Sequence, residues 1–211
     1  MTDIAALLKS AVVAPVIRTS TAGAASRAVD LLSKQGFRLF ELTLTTPGAL
    51  ELLGELSQRS DLTVGLGTVL SEEQGRMGLE AGAAFLVSPA FVPGLTDLCR
   101  EASTPVALGA ATPTEVLQAH QAGADFVKVF PASQLGGAGF VKALKSVYPE
   151  IQIMPTGGIN PPDIPAYLQA GAACLGMGGN LVSDAALTAG DDEVILTAAQ
   201  AVRAQIEVLG R

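Results

Sequence analysis

Hydrophobic and polar positions repeat in one pattern along the chain. Short β-rich apolar runs at 12–17, 62–65, 105–108 and 151–154 alternate with four others that each follow a glycine. These glycines, 46, 41 and 48 residues apart, are Gly36, Gly82, Gly123 and Gly171. Each stands where a helix should end and a strand begin, because glycine readily adopts the left-handed conformation of a helix C-terminus. The pattern predicts eight strands that alternate with helices.

Helix starts are marked by Ser, Thr or Asn with Pro or Glu just inside, at Thr46-Pro47, Ser71-Glu72, Thr112-Pro113 and Asn160-Pro161. Alternating strands and helices with short loops predict a parallel sheet with right-handed crossovers. We therefore expect an α/β fold, a single (β/α)8 barrel domain over residues 1–211 with a short N-terminal helix. An open doubly wound sheet is the alternative, but the turn after the first strand lacks its glycine-rich phosphate motif.

The charge balance restricts the partners of the chain. Thirteen Lys and Arg residues against twenty Asp and Glu residues give a net charge of −7, with no long basic cluster. Nucleic acid is therefore a poor partner, since it is bound mainly through its phosphates. An anionic substrate would have to be held by a few local cations and backbone N–H groups.

The remaining composition predicts a protein of the cytoplasm. Cys99 and Cys174 are far apart and show no metal-type or disulfide-type spacing, which favours reduced thiols. The longest uncharged stretch, residues 164–183, is interrupted by Pro165 and several glycines, so we expect no membrane span. His120 is the only histidine, so a serine–histidine triad or a multi-histidine metal site is not expected.

Polar residues occupy interior positions of two predicted strands. In the second strand, alternation turns Glu41, Thr43 and Thr45 toward the inside of the barrel. In the sixth strand, it turns Lys128 and Phe130 inward. A buried amine is favoured in its neutral, nucleophilic form, as imine formation with a carbonyl substrate requires, and a nearby carboxylate can transfer protons. A purely structural Lys–Glu ion pair is the alternative.

Loops at the predicted C-terminal rim of the barrel carry further candidates. Thr68 follows the glycines of the third strand, and Arg18 closes the first strand. Glycine pairs follow the seventh and eighth strands, in the segments Thr156-Gly157-Gly158 and Gly178-Gly179-Asn180. Two such turns where barrels commonly bind phosphate predict an anion site, with a helix start near each. Tight turns alone, and a surface ion pair for Arg18, are the simpler explanations.

Six motifs in order resemble one known family. They are Phe40-Glu-Leu-Thr-Leu-Thr, Val64-Gly-Leu-Gly-Thr-Val-Leu, Ala81-Gly-Ala-Ala-Phe-Leu-Val-Ser-Pro, Phe126-Val-Lys-Val-Phe-Pro-Ala, Met154-Pro-Thr-Gly-Gly-Ile-Asn and Met177-Gly-Gly-Asn-Leu-Val. From Pro15 to about Ala185, the chain resembles the bacterial 2-keto-3-deoxy-6-phosphogluconate (KDPG) and 2-keto-4-hydroxyglutarate (KHG) aldolases. The resemblance implies class I, Schiff-base lyases on a trimeric (β/α)8 barrel.

The resemblance implies roles for individual residues. Lys128 would form the imine and Glu41 would be the general acid and base. The substrate-binding set that it implies is Thr68 at the pyruvyl carboxylate, Phe130 and Pro89 beside the substrate, and Thr156, Gly157, Gly158, Gly178, Gly179 and Asn180 at its phosphate end. Many members have Arg where this chain has Thr45, and many have Ser where it has Asn180. Members without that arginine often carry one at the end of strand one, which here is Arg18.

The resemblance implies reversible aldol cleavage without a cofactor or metal, in a homotrimer. The substrate would be the phosphogluconate type, with pyruvate and glyceraldehyde 3-phosphate as products. Hydroxyglutarate, which yields pyruvate and glyoxylate, and the galactonate epimer stay open. Two rival hypotheses keep the barrel: a sugar-phosphate isomerase or epimerase without a covalent intermediate, and a catalytically inactive sugar-phosphate binding protein.

Overall fold

In the computed structural model, which describes residues 4–210, eight parallel strands alternate with helices. The strands are β1 Val13–Ile17, β2 Leu39–Thr43, β3 Thr63–Gly67, β4 Leu86–Val87, β5 Val106–Ala110, β6 Phe126–Val129, β7 Ile153–Pro155 and β8 Leu175–Met177. The α-helices are α1 Ile4–Ala11, α2 Ala22–Lys34, α3 Ala49–Ser57, α4 Glu72–Glu80, α5 Leu95–Glu101, α6 Pro113–Gln121, α7 Gly137–Val147, α8 Ile164–Gln169, α9 Asp184–Ala189 and α10 Asp192–Val208. A short 3-10 helix, Pro161–Asp163, precedes α8.

The strands follow one another around a cylinder. Each of β1 to β7 pairs in parallel with its sequence neighbour, and β8 returns to pair with β1. A single bridge between Thr156 and Gly176 joins β7 to β8 and closes the ring. The predicted (β/α)8 barrel with a helix before the first strand is confirmed.

The repeated glycines end helices as predicted. Gly36, Gly82, Gly123 and Gly171 have φ values of +87°, +92°, +93° and +98°. At each of them the glycine N–H and the following N–H donate to carbonyls of the preceding helical turn, for example Gly36 to Ser33 and Phe37 to Leu32. This geometry is the Schellman type of helix end, and it directs the chain into the next strand.

The helix starts agree with prediction at two sites and differ at two. Ser71 and Thr112 cap α4 and α6 with their side chains. α3 begins at Ala49 and not at Thr46-Pro47, because the Thr46 hydroxyl accepts the N–H of Thr19 in the neighbouring loop. After Asn160, the chain makes the 3-10 turn before α8.

Two hydrophobic cores follow from the alternation of side chains along the strands. The larger core lies between the strands and the helices, and it takes Phe40, Leu42, Val127 and Val129 as predicted. The smaller core lies inside the barrel, where Leu8 of α1 packs against one end of it. Its other members are Ala14, Leu39, Phe85, Val87, Ala107, Phe126, Met154 and Cys174. Because its inner members come from the strands themselves, the lower part of the barrel is filled and α1 closes it.

Within residues 4–210, no helix combines the length and the apolar character needed to cross a membrane.

Candidate active site

Lys128 and Glu41 meet inside the barrel, one layer above the apolar interior core. Lys128 lies on β6 and Glu41 on β2, and their side chains are 4% and 0% exposed. The Lys128 Nζ donates to Glu41 Oε1 over 3.1 Å, so the two strands are linked across the barrel. Interior-facing positions two residues earlier on the same strands, Leu39 and Phe126, belong to the apolar core. The predicted inward orientation of both charged residues is therefore observed.

Glycines on the neighbouring strands make room for these side chains. A Cβ on Gly67 of β3 would collide with the Glu41 carboxylate. In the same way, a Cβ on Gly176 of β8 would collide with the side chain of Thr156. The Pro89 backbone packs against Gly109, which is the register partner of Lys128 on β5. Glycines on β3, β5 and β8 thus set where the neighbouring polar side chains can lie.

Two polar atoms of the site are buried without a partner in the described part of the chain. They are Glu41 Oε2 and Thr156 Oγ1. A buried polar atom without a hydrogen bond costs about 1–3 kcal/mol, so such atoms need an explanation. A bound molecule with hydroxyl groups between β2 and β7 would supply partners to both.

A cavity of about 170 Å³ opens at the C-terminal ends of the strands. Its lining residues are Val16, Arg18, Phe130, Thr156, Gly157, Gly158, Ile159, Gly178, Gly179 and Asn180. Phe130 joins this cavity to the amine, because the Lys128 Nζ lies 5.9 Å from the centre of its ring. The structure thus brings together eight of the predicted substrate-binding residues next to the buried Lys128–Glu41 pair.

The glycine loops form the wall of the cavity, but the helices after them start further away than predicted. Gly157 and Gly158 have φ values of +100° and +72°, a conformation that glycine adopts more readily than other residues. α8 and α9 begin only at Ile164 and Asp184. The Asn180 side chain ties the two loops together by donating to the carbonyl of Ile159 over 3.1 Å. Backbone groups of the loops, rather than helix N-termini, therefore line the cavity.

The three other predicted residues, Thr45, Thr68 and Pro89, do not line the cavity. The Arg18 guanidinium donates to Thr68 Oγ1 over 3.4 Å, and Thr68 holds a left-handed φ of +60°. That conformation is unusual for a β-branched residue and is typical of strained functional sites. β2 ends at Thr43, so Thr45 is exposed, and its hydroxyl lies 2.9 Å from that of Thr43.

Four residues near the cavity were not predicted from the sequence. Val16 and Ile159 are apolar strand and loop residues that line it. Ser133 and Gln134, after β6, lie over Gly158, and the Ser133 hydroxyl donates to Gln134 Oε1 over 2.9 Å. The only sequence feature that could have indicated Ser133 and Gln134 is their position just after β6. Among residues 4–210, no three His, Cys, Asp or Glu side chains form a group that could hold a metal ion.

Comparison with known proteins places the chain in a family. Residues 4–198 match the family described as KDPG and KHG aldolase. A 2-dehydro-3-deoxy-phosphogluconate aldolase of Haemophilus influenzae is 35% identical over 162 residues, 76% of each chain. The KHG/KDPG aldolase of Escherichia coli K12 is 32% identical over 204 residues, 95% of each chain.

A solved structure shares the whole architecture. KDPG aldolase from Legionella pneumophila superposes with a TM-score of 0.86 at 30% identity, covering 95% of this chain and 98% of that one. That enzyme was captured at low pH with pyruvate as a covalent carbinolamine intermediate. The chain belongs to the KDPG and KHG aldolase family, and it is a class I aldolase.

Proposed function

We propose that the protein cleaves 2-keto-3-deoxy-6-phosphogluconate to pyruvate and glyceraldehyde 3-phosphate, with Lys128 as the imine-forming residue. The observation that carries the proposal is the 3.1 Å contact between the Lys128 amine and the Glu41 carboxylate, buried beneath the cavity. The name of the Haemophilus influenzae relative supports this substrate. The name of the Escherichia coli relative supports 2-keto-4-hydroxyglutarate as a second one.

Proton transfer within the pair would prepare the nucleophile. Moving one proton from the Lys128 ammonium to Glu41 turns a buried ion pair into a neutral amine and a neutral acid. The amine then attacks C2 of the keto acid to give a carbinolamine. Glu41 returns the proton to the departing hydroxyl as water leaves and the imine forms.

Cleavage follows from the positive charge on the protonated imine. Glu41, again a carboxylate, removes the proton of the C4 hydroxyl, the C3–C4 bond breaks, and its electron pair moves into the iminium to give an enamine. The aldehyde is released. Protonation of the enamine at C3 and addition of water then release pyruvate and restore Lys128.

The rim residues would hold the charged ends of the substrate. Thr68, with Arg18 beside it, would bind the carboxylate of the pyruvyl half, and Phe130 would pack against its carbon chain. The phosphate would lie against Thr156 and the two glycine loops, including Asn180. Thr45 and Pro89 would complete the entrance. No step requires a cofactor from outside the chain.

Borohydride trapping tests the proposal. With pyruvate and borohydride, we expect intact-mass and peptide analysis to find one reduced pyruvate adduct on Lys128. Lys128→Arg should give none, while Lys142→Ala, which removes an exposed lysine of α7, should label normally. An unlabelled wild-type protein would instead favour an isomerase or a binding protein.

Glu41→Gln should lower kcat about 10²–10⁴-fold and change the affinity for pyruvate far less.

We also infer that the protein assembles as a homotrimer through the side of the barrel that carries α4. Leu70, Met77 and Phe91 are 57%, 44% and 40% exposed. Leu70 precedes α4, Met77 lies within it, and the loop after Phe91 packs against Glu72 of α4 at Gly94. Apolar side chains gathered on one face are typical of a protein interface.

A further inference from the structure

Two arginines without acidic partners share one cavity far from the candidate active site. Of the seven arginines between residues 4 and 210, four form ion pairs with carboxylates: Arg27, Arg59, Arg76 and Arg100. Of the three others, Arg18 lines the active-site cavity. Arg38 and Arg203 both line a different cavity of about 190 Å³.

This second cavity lies at the N-terminal end of the barrel, between α1, the start of β2 and α10. Its other lining residues are Leu7, Ser10, Ala11, Val13, Gly36, Phe37, Leu39 and Ile206. Most of these are apolar, and Val13, Phe37, Leu39 and Ile206 are buried. The cavity therefore offers an apolar floor with two guanidinium groups.

Neighbouring backbone fixes the Arg38 guanidinium in place. Its Nη1 donates to the carbonyls of Ser33 over 2.6 Å and Phe37 over 2.9 Å. These neutral acceptors orient the group without cancelling its charge. A guanidinium has five N–H donors, so donors are left for a ligand.

Arg203 makes no hydrogen bond or ion pair with any residue from 4 to 210. Its Cζ lies 3.9 Å from where a Cβ of Gly36 would stand, so the guanidinium lies over bare backbone at the end of α2. Arg203 also lines a groove of about 370 Å³, together with Lys34 and Glu207. Among residues 4–210, Glu207 is the only acidic residue that lines either space, and it forms no ion pair with Arg203.

Unpaired guanidinium groups are unexpected in a chain with a net charge of −7, where carboxylates are abundant. We propose that this cavity binds a small organic anion. The phosphate or carboxylate of the ligand would lie between Arg38 and Arg203, since guanidinium groups bind both oxyanions in a bidentate manner. A compact apolar part of the ligand would pack on Leu7, Val13 and Ile206. The site is separate from the aldolase chemistry and does not depend on it.

Titration of the isotopically labelled protein with phenyl phosphate tests the site, because backbone amide signals report each cavity separately. We expect saturable shifts at the amides of Ser10, Gly36 and Leu39. Arg203→Gln should weaken this response about tenfold or more, since a charged hydrogen bond is lost, and Arg203→Lys should weaken it less. Arg76→Gln, which alters an exposed arginine of α4, should leave it unchanged.

Parallel titrations with related compounds test which part of the ligand the cavity requires. Benzoate in place of phenyl phosphate distinguishes a carboxylate from a phosphate ligand, and either one binding at Gly36 supports the proposal. Phenol should not saturate these signals, because it lacks the anionic group. Shifts confined to Gly157, Gly158 and Gly179 would overturn the proposal. So would equal affinities for the wild type, Arg203→Gln and Arg38→Gln, or an equal response to phenol.

Discussion

At the scale of single residues, the Glu41 carboxylate affects the pKa of a thiol in addition to accepting the Lys128 hydrogen bond. Cys174 lies in the interior core, and burial, with the Glu41 carboxylate as the second cause, raises its pKa to about 12. Burial also raises the pKa of Cys99, a buried residue of α5, to about 12, with Asp125 acting in the same direction. Neither thiol is bonded in a disulfide.

These thiols lower the free energy of unfolding at alkaline pH. In the unfolded chain a thiol ionises near its ordinary pKa of 9, while the folded chain keeps the proton until about pH 12. Between these values the unfolded state is favoured by up to about 1.4 kcal/mol per pH unit for each thiol. We expect urea unfolding to give a smaller loss of stability from pH 8 to pH 10.5 for Cys174→Ala than for the wild type. Parallel losses would contradict the pKa assignment.

Residue identities predicted the buried Lys128–Glu41 pair but only part of its surroundings. Lys128 and Glu41 could be found because a charged residue at an inward strand position breaks the apolar alternation. Ser133 and Gln134 could not, since their place over Gly158 depends on how two loops pair: the N–H of Ser133 donates to the carbonyl of Gly157. Loop pairing of this kind leaves no periodic trace in the sequence.

At the scale of secondary-structure elements, the strands with glycine decide how the interior is filled. β3 has glycine at two inward positions, Gly65 and Gly67, where an added Cβ would meet Phe85 and Glu41 respectively. Bulky side chains on the neighbouring strands use the space that β3 leaves free. The barrel is therefore asymmetric in side-chain volume, and its functional groups lie on the strands that have room beside them.

Gly67→Ala should damage catalysis more than folding. The added methyl group would displace the Glu41 carboxylate, and a shift of about 1 Å in a catalytic group can cost about a hundredfold in rate. We expect kcat/KM for aldol cleavage to fall by that order while circular dichroism stays native. Gly23→Ala in α2, where a Cβ has no neighbour within 4 Å, is the matched control and should keep full activity. Equal activity of both variants would place Glu41 outside the reaction.

Element boundaries were harder to predict than element order. The four helix-ending glycines fixed the order of strands and helices, because the left-handed conformation is a local property. The start of α3 was misplaced because Thr46 is engaged by Thr19 from the preceding loop. That contact depends on the finished barrel, and a local capping signal does not contain it.

At the scale of the whole molecule, the exposed apolar side chains around α4 indicate where the subunits of the proposed homotrimer would meet. Light scattering after gel filtration should give about 64 kDa, three times the 21.4 kDa chain. Phe91→Asp combined with Leu70→Asp should lower that mass, because a buried charge without a partner disfavours the interface. Val194→Asp changes a residue of similar exposure, 45%, at the start of α10, and it should leave the mass unchanged. A monomeric wild type would refute the trimer.

The helix that closes the base of the barrel also bears on the order of events. Because Leu8 and the apolar layer above it seal one end, every molecule that reaches Lys128 must come and go through the same entrance. In the proposed reaction the three-carbon keto acid stays bonded to the amine at the bottom, with the aldehyde above it. The aldehyde must therefore depart first, and in the synthetic direction it must arrive second. Because the barrel has a single entrance, the proposed reaction should follow an ordered kinetic scheme, with the aldehyde released before pyruvate.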